Sequence, residues 1–201
     1  MHTSVAALFE GLWHDYVQIT PSAHTIHTLL AEKTGSTSIV NDHIALRTFA
    51  VDKVGLAKLA AHFLALGYTQ QGDYDFATKK LTAQHFEHPD PSVPKVFISE
   101  LRVNELSDTA QAIIHKMLAQ MDDKKVTDDD FLYSGTHWQV SSEDYKTLLA
   151  ESEYAAWMAA WGYRANHFTV SVNHLVNIDE LSEVNNLLKD AGFKLNSSGG
   201  E

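Results

Sequence analysis

Apolar and polar positions alternate along "NDHIALRTF", residues 41 to 49. The alternation predicts a strand over 42–51, with Ile44 and Leu46 on one face and His43, Ala45 and Arg47 on the other. Downstream the period lengthens. Leu56, Leu59, Ala60, Phe63 and Leu64 form the stripe of an amphipathic helix, which Gly67 closes. Three further stretches, Thr69 to Phe76, Leu81 to His88 and Lys95 to Val103, predict strands, so residues 41–106 read β-α-β-β-β. Ahead of this unit, residues 3–18 and the run opened by Thr20 and Pro21 and ended by Gly35 predict two helices.

After the unit, a helix is expected over 107–121, capped by Ser107 or Asp108. The run "DDKKVTDDD" reads as a solvated acidic connection rather than a site. One long helix is expected through "SSEDYKTLLAESEYAAWMAAWGY", opened by Ser141 with Asp144, with Tyr154, Trp157 and Trp161 as core packing. Alternation returns in "RANHFTVSVNHL", which places His167, Thr169, Ser171 and Asn173 on one face and Phe168, Val170 and Val172 on the other. A last helix is expected with Asn177 as N-cap, Glu180 at N3 and Gly192 at its end.

These two halves repeat each other. Gly67-Tyr68 closes a helix 24 residues after His43, and Gly192-Phe193 closes one 25 residues after His167. Such self-similarity points to a duplicated supersecondary unit. The second copy has its strand and helix, then "KLNSSGGE", without the last strands of the first. The expected class is α+β, as one domain over 1–201. Its parts are N-terminal helices (1–40), a first unit (41–106), a helical connection (107–163) and the start of a second unit (164–201).

Composition narrows the chemistry. The formal charge of −11 argues against nucleic acid and anionic membranes as partners, and it makes the three arginines, Arg47, Arg102 and Arg164, informative. No cysteine is present, which excludes a thiol nucleophile or a zinc-thiolate site. The opening "MHTSVAALFEGLWHDY" has no signal-peptide pattern and no apolar run approaches a membrane span, so a cytoplasmic protein is expected. Equivalent first-strand positions of a duplicated unit can meet at a shared axis, where His43 and His167 would converge on one metal ion. The alternative is that both imidazoles hydrogen-bond strand ends. His85 and His88 in "HFEHPD" are a rival pair, set in a turn by Pro89 and Pro91.

Three motifs in order, "NDHIALRTF", "VFISEL" and "GYRANHFTVSVN", resemble the 2-oxoadipate dioxygenase/decarboxylase family of the vicinal oxygen chelate superfamily. The resemblance runs from "LWHDYVQITPSAHTIHTLL" to the closing "GG". It implies paired βαβββ modules forming a cupped sheet with added helices, the second module being incomplete in this chain. It also implies a non-haem Fe(II) cofactor held by two histidines and a glutamate, with His43 and His167 in the histidine places. Arg47 takes the place of the substrate-binding arginine, and Thr169 and Ser171 could add hydroxyl contacts. The glutamate does not carry over: it is expected beyond Glu201 in a longer chain, with Glu100 of "FISEL" as a fallback. The implied reaction consumes a 2-oxo acid and O2 in lysine catabolism, turning 2-oxoadipate into 2-hydroxyglutarate and CO2. Alternatives are a metal-free small-molecule-binding module of the same fold, and another divalent-metal enzyme of the superfamily such as an isomerase or hydrolase.

Overall fold

The computed structural model describes residues 1–178 and 180–196. Five strands form one sheet: β1 (Asn41–Phe49), β2 (Thr69–Phe76), β3 (Leu81–Glu87), β4 (Lys95–Leu101) and β5 (Ala165–Val170). Their spatial order is β2-β3-β4-β1-β5, with β1 parallel to β4 and antiparallel to β5. The second unit's strand therefore joins the sheet of the first directly beside β1.

Seven helices surround the sheet among the described residues: α1 (Val5–Ile19), α2 (Pro21–Thr34), α3 (Leu56–Leu64), α4 (Asp108–Leu118), α5 (Ser142–Glu151), α6 (Glu153–Trp161) and α7 (Leu181–Asp190). Local chemistry starts and stops them. Ser4, Ser107 and Ser141 accept backbone N–H groups at the N-termini of α1, α4 and α5, and Gly35 at φ 71° ends α2 in the left-handed conformation that glycine adopts without strain. One side of β1 is sealed, with Ile44, Leu46 and Thr48 almost fully buried together with Leu8, Leu12, Phe63, Val96 and Ile98. Leu30, Leu175, Ile178 and Val184 make a smaller cluster between α2 and α7. None of the described helices is long and apolar enough to cross a membrane.

Three expectations are corrected. The long helix over 142–161 is two helices, because Ser152 takes an extended conformation and its side chain accepts the Ala155 N–H as a new N-cap. The final helix is capped by Glu180, which forms a reciprocal capping box with Glu183, while Asn177 sits before it at φ 58°. The acidic connection is partly inward: Val126 is buried, and its carbonyl lies 2.7 Å from His62 Nε2. The expected "GG" terminus lies outside the described residues.

Histidine burial gives the fold a pH signature. His27, His62 and His137 are all held below the usual imidazole range, chiefly by burial. The unfolded chain takes up these protons as pH falls through about 6.5, whereas the folded chain resists until lower pH. Stability is then fully present above that point and is lost on acidification. Urea unfolding is expected to show a midpoint that falls from about pH 7.5 to about pH 5; a flat midpoint would contradict the assignment.

Candidate metal and substrate site

The site grows from the alternation in β1. With Ile44 and Leu46 committed to the core, His43, Ala45 and Arg47 must face the other way. Ala45 lies opposite Phe97 of β4 and His167 of β5. Because Ala45 is only a methyl group, the larger rings around it can close over it. His43 and His167 meet edge to face with centroids 5.5 Å apart, and His43 also meets Phe97 at 5.0 Å.

Both imidazoles are oriented through Nδ1. His43 Nδ1 lies 2.8 Å from Asp42 Oδ2, and His167 Nδ1 lies 2.9 Å from Asn166 Oδ1. A carboxylate or amide oxygen accepts, so each Nδ1 carries the proton and the neutral ring leaves its Nε2 lone pair free. Burial, helped by the nearby His43 and Arg47, lowers the His167 pKa to about 4, so this ring is neutral at neutral pH. Two neutral-capable imidazoles with free Nε2 atoms fit a divalent metal of borderline softness. Among the described residues no group of three or more His, Cys, Asp or Glu side chains is arranged to hold one.

Arg47 is held differently. Its guanidinium carbon stands 4.8 Å from the Tyr154 ring centroid and 4.9 Å from that of Trp157, so two aromatic rings of α6 grip a cation that is only 19% exposed. Tyr154 is fixed in turn: its hydroxyl accepts the Thr48 N–H at 3.0 Å and donates to the Ser99 carbonyl at 2.7 Å. Glu153, 73% exposed, comes within 3.7 Å of Nη1, yet Nη1 is buried with no hydrogen bond to a described residue. A cavity of about 290 Å³ opens at Arg47, lined also by Lys79, Lys80, Glu151 and Tyr154; the two histidines are not among its lining residues.

Several assignments change. Tyr154 lies in the core and Trp157 packs against it, as expected, and both also support Arg47, whereas Trp161 is 41% exposed. Thr169 is not a free substrate contact: its hydroxyl accepts the His43 N–H and donates to the His43 carbonyl, both at 2.9 Å. This side chain closes the ladder where the β1–β5 register shifts between Asn41 and Ile44. Ser171 lies past the end of β5, where its hydroxyl meets His174 Nδ1 at 2.8 Å. Glu100 aligns with Thr48 on the opposite face and accepts the Leu56 N–H at 2.7 Å, steadying the start of α3 away from the histidines. The rival histidines separate: His85 stacks on Phe97 and bonds the Tyr74 hydroxyl, while His88 accepts the Asp90 N–H. Asp42 and Asn166 escaped sequence reasoning, although each stands immediately before its histidine in both copies of the repeat.

Comparison with known proteins identifies the family and the fold. The family model described as 2-oxoadipate dioxygenase/decarboxylase matches residues 8–199. A protein of that description from Oryza sativa subsp. japonica is 37% identical over 92% of this chain and 54% of its own length. A chloroplastic one from Arabidopsis thaliana is 37% identical over 79% of this chain and 47% of its own. The chain thus spans about half the length of the curated relatives it matches. Among solved structures, a Shewanella frigidimarina NCIMB 400 protein provisionally labelled a hydrolase is 58% identical with TM-score 0.96, covering 100% of this chain and 78% of its own. The Oryza sativa hydroxyglutarate synthase, solved with 2-oxoadipate, is 34% identical with TM-score 0.86, covering 96% and 66% respectively. A Ralstonia eutropha JMP134 protein provisionally placed in the glyoxalase superfamily shares the fold alone, at 21% identity and TM-score 0.67, covering 96% and 68%. The expected α+β class with a vicinal oxygen chelate-like sheet is met.

The Thr169 clasp makes a sharp prediction. Thr169→Val removes both bonds to the His43 backbone and is expected to cost about 1–3 kcal/mol in chemical denaturation, whereas Thr169→Ser keeps most of that stability. Equal stability of the valine and serine variants would refute the clasp.

Proposed function

Because the chain belongs to the 2-oxoadipate dioxygenase/decarboxylase family, we propose that it serves an Fe(II)-dependent oxidative decarboxylation of a 2-oxo diacid, 2-oxoadipate to 2-hydroxyglutarate and CO2. The observation that carries this reading is the pairing of two free Nε2 atoms with an arginine on the same strand face whose buried Nη1 makes no hydrogen bond to a described residue. His43 and His167 would hold the metal through Nε2. When bound, Fe(II) supplies the redox chemistry that couples loss of CO2 from a 2-oxo acid to the reduction of O2.

The chain's own residues do the rest. Four residues of strand separate His43 from Arg47 by about 13 Å, a span that a six-carbon diacid and an extended arginine cover together. The guanidinium, clamped by Tyr154 and Trp157, loses little further freedom when it takes the distal carboxylate. Its cation also sets a local positive potential against a chain of net charge −11. Phe97 walls the space beside His43 with an apolar ring. A solved hydroxyglutarate synthase with 2-oxoadipate bound, at 34% identity, supports this choice of substrate. The same proposal extends to a role in lysine catabolism and to a cytoplasmic location.

Two measurements test this. Protein supplied anaerobically with Fe(II) is expected to take up O2 with 2-oxoadipate and form 2-hydroxyglutarate, and His43→Ala or His167→Ala is expected to abolish uptake. Arg47→Lys is expected to narrow the preference for 2-oxoadipate over the monoacid 2-oxohexanoate by about tenfold or more, because the planar fork is lost. No uptake by the unsubstituted protein, or an unchanged preference in the lysine variant, would sink the reading.

A further inference from the structure

His43 and His167 occupy equivalent places in the two copies of the repeat, and so do the residues before them. Both preceding residues sit at irregularities of the β1–β5 ladder, between Asn41 and Ile44 and between Ala165 and His167, where ordinary alternation is broken and a side chain can turn toward the ring that follows it. It does so twice here, Asp42 Oδ2 at 2.8 Å and Asn166 Oδ1 at 2.9 Å from the following Nδ1. The two orienting groups match in geometry and differ by one charge.

We propose that Asp42 and Asn166 are matched positioning residues of unequal charge, which make His43 the stronger metal donor of the pair and His167 the weaker. The proposal rests on the reading of both histidines as metal ligands. A carboxylate behind an imidazole N–H pushes electron density toward the far nitrogen, and a neutral amide fixes the tautomer with little such push. Asp42 therefore orients and charges its ring, whereas Asn166 only orients. The asymmetry also places one net negative charge beside a cation that the described residues otherwise meet with two neutral rings. Asp42 is 49% exposed, so solvent screens part of its effect without breaking the 2.8 Å contact. An exposed ion pair serving the surface alone would need no counterpart behind His167.

Exchanging the two residues separates these roles, using Co(II) as the probe and the full chain. Asp42→Asn preserves a hydrogen-bond acceptor and removes only the charge; it is expected to weaken Co(II) binding by roughly 10–100-fold in calorimetric titration. Asn166→Asp is expected to tighten binding, and the double exchange to return it to near the starting value. Imidazole ¹⁵N spectra of the metal-free protein give an independent readout: both rings should show protonated Nδ1, and Asp42→Ala should lose that preference at His43 alone. Co(II) affinity indifferent to the exchange, or protonated Nε2 in the metal-free spectra, overturns the proposal. Failure of the unsubstituted chain to take up Co(II) overturns the ligand reading and the proposal with it, whereas uptake that ignores the exchange overturns the proposal alone.

Discussion

The seam between β1 and β5 is the constraint on which the site depends. β1 is hydrogen-bonded on both sides, parallel to β4 and antiparallel to β5, and its apolar residues are locked into the core. A strand's side chains alternate strictly, so a one-residue slip of β5 would turn His167 toward the core and Phe168 away from Trp13 and Tyr16, with which it packs at 5.1 and 5.0 Å. Thr169 guards one of the two places where the ladder is irregular by supplying a hydroxyl in place of a backbone partner.

Much of this was legible in the sequence. Alternation located β1 and β5, helical periodicity located α3, and the repeat singled out His43 and His167 from among 12 histidines. Face counting failed where the strand failed. Ser171 was assigned to the His167 face, but β5 ends at Val170 and parity means nothing beyond it. Thr169 has the expected parity, yet its hydroxyl turns into the plane of the sheet, a choice made by a distant backbone and invisible to pattern. Glu100 needed the register between β1 and β4, which no single strand encodes.

The broken helix shows the same limit from another side. Had 142–161 been continuous, Trp157 would stand nine residues after buried Leu148, about 180° around the axis at 3.6 residues per turn. The extended Ser152 resets that phase and turns Tyr154 and Trp157 toward the sheet. Its own signature, a serine followed by Glu153, is short and sits inside good helix-forming sequence. Arg47 was legible as a lone cation on an unusual face; the aromatic clamp that makes it rigid was not.

The parallel pairing of β1 and β4 has a consequence in time. Parallel neighbours need a long crossover, and β1 reaches its other neighbour only when residues 165–170 arrive. During synthesis β1 thus waits with both hydrogen-bonding edges bare while the flanking hairpin of β2 and β3 closes locally. Loop-closure entropy is met before these distant contacts repay it, which makes folding slow and leaves an apolar strand exposed to other chains. The acidic surface of the chain works against such encounters, because early, half-paired molecules repel one another.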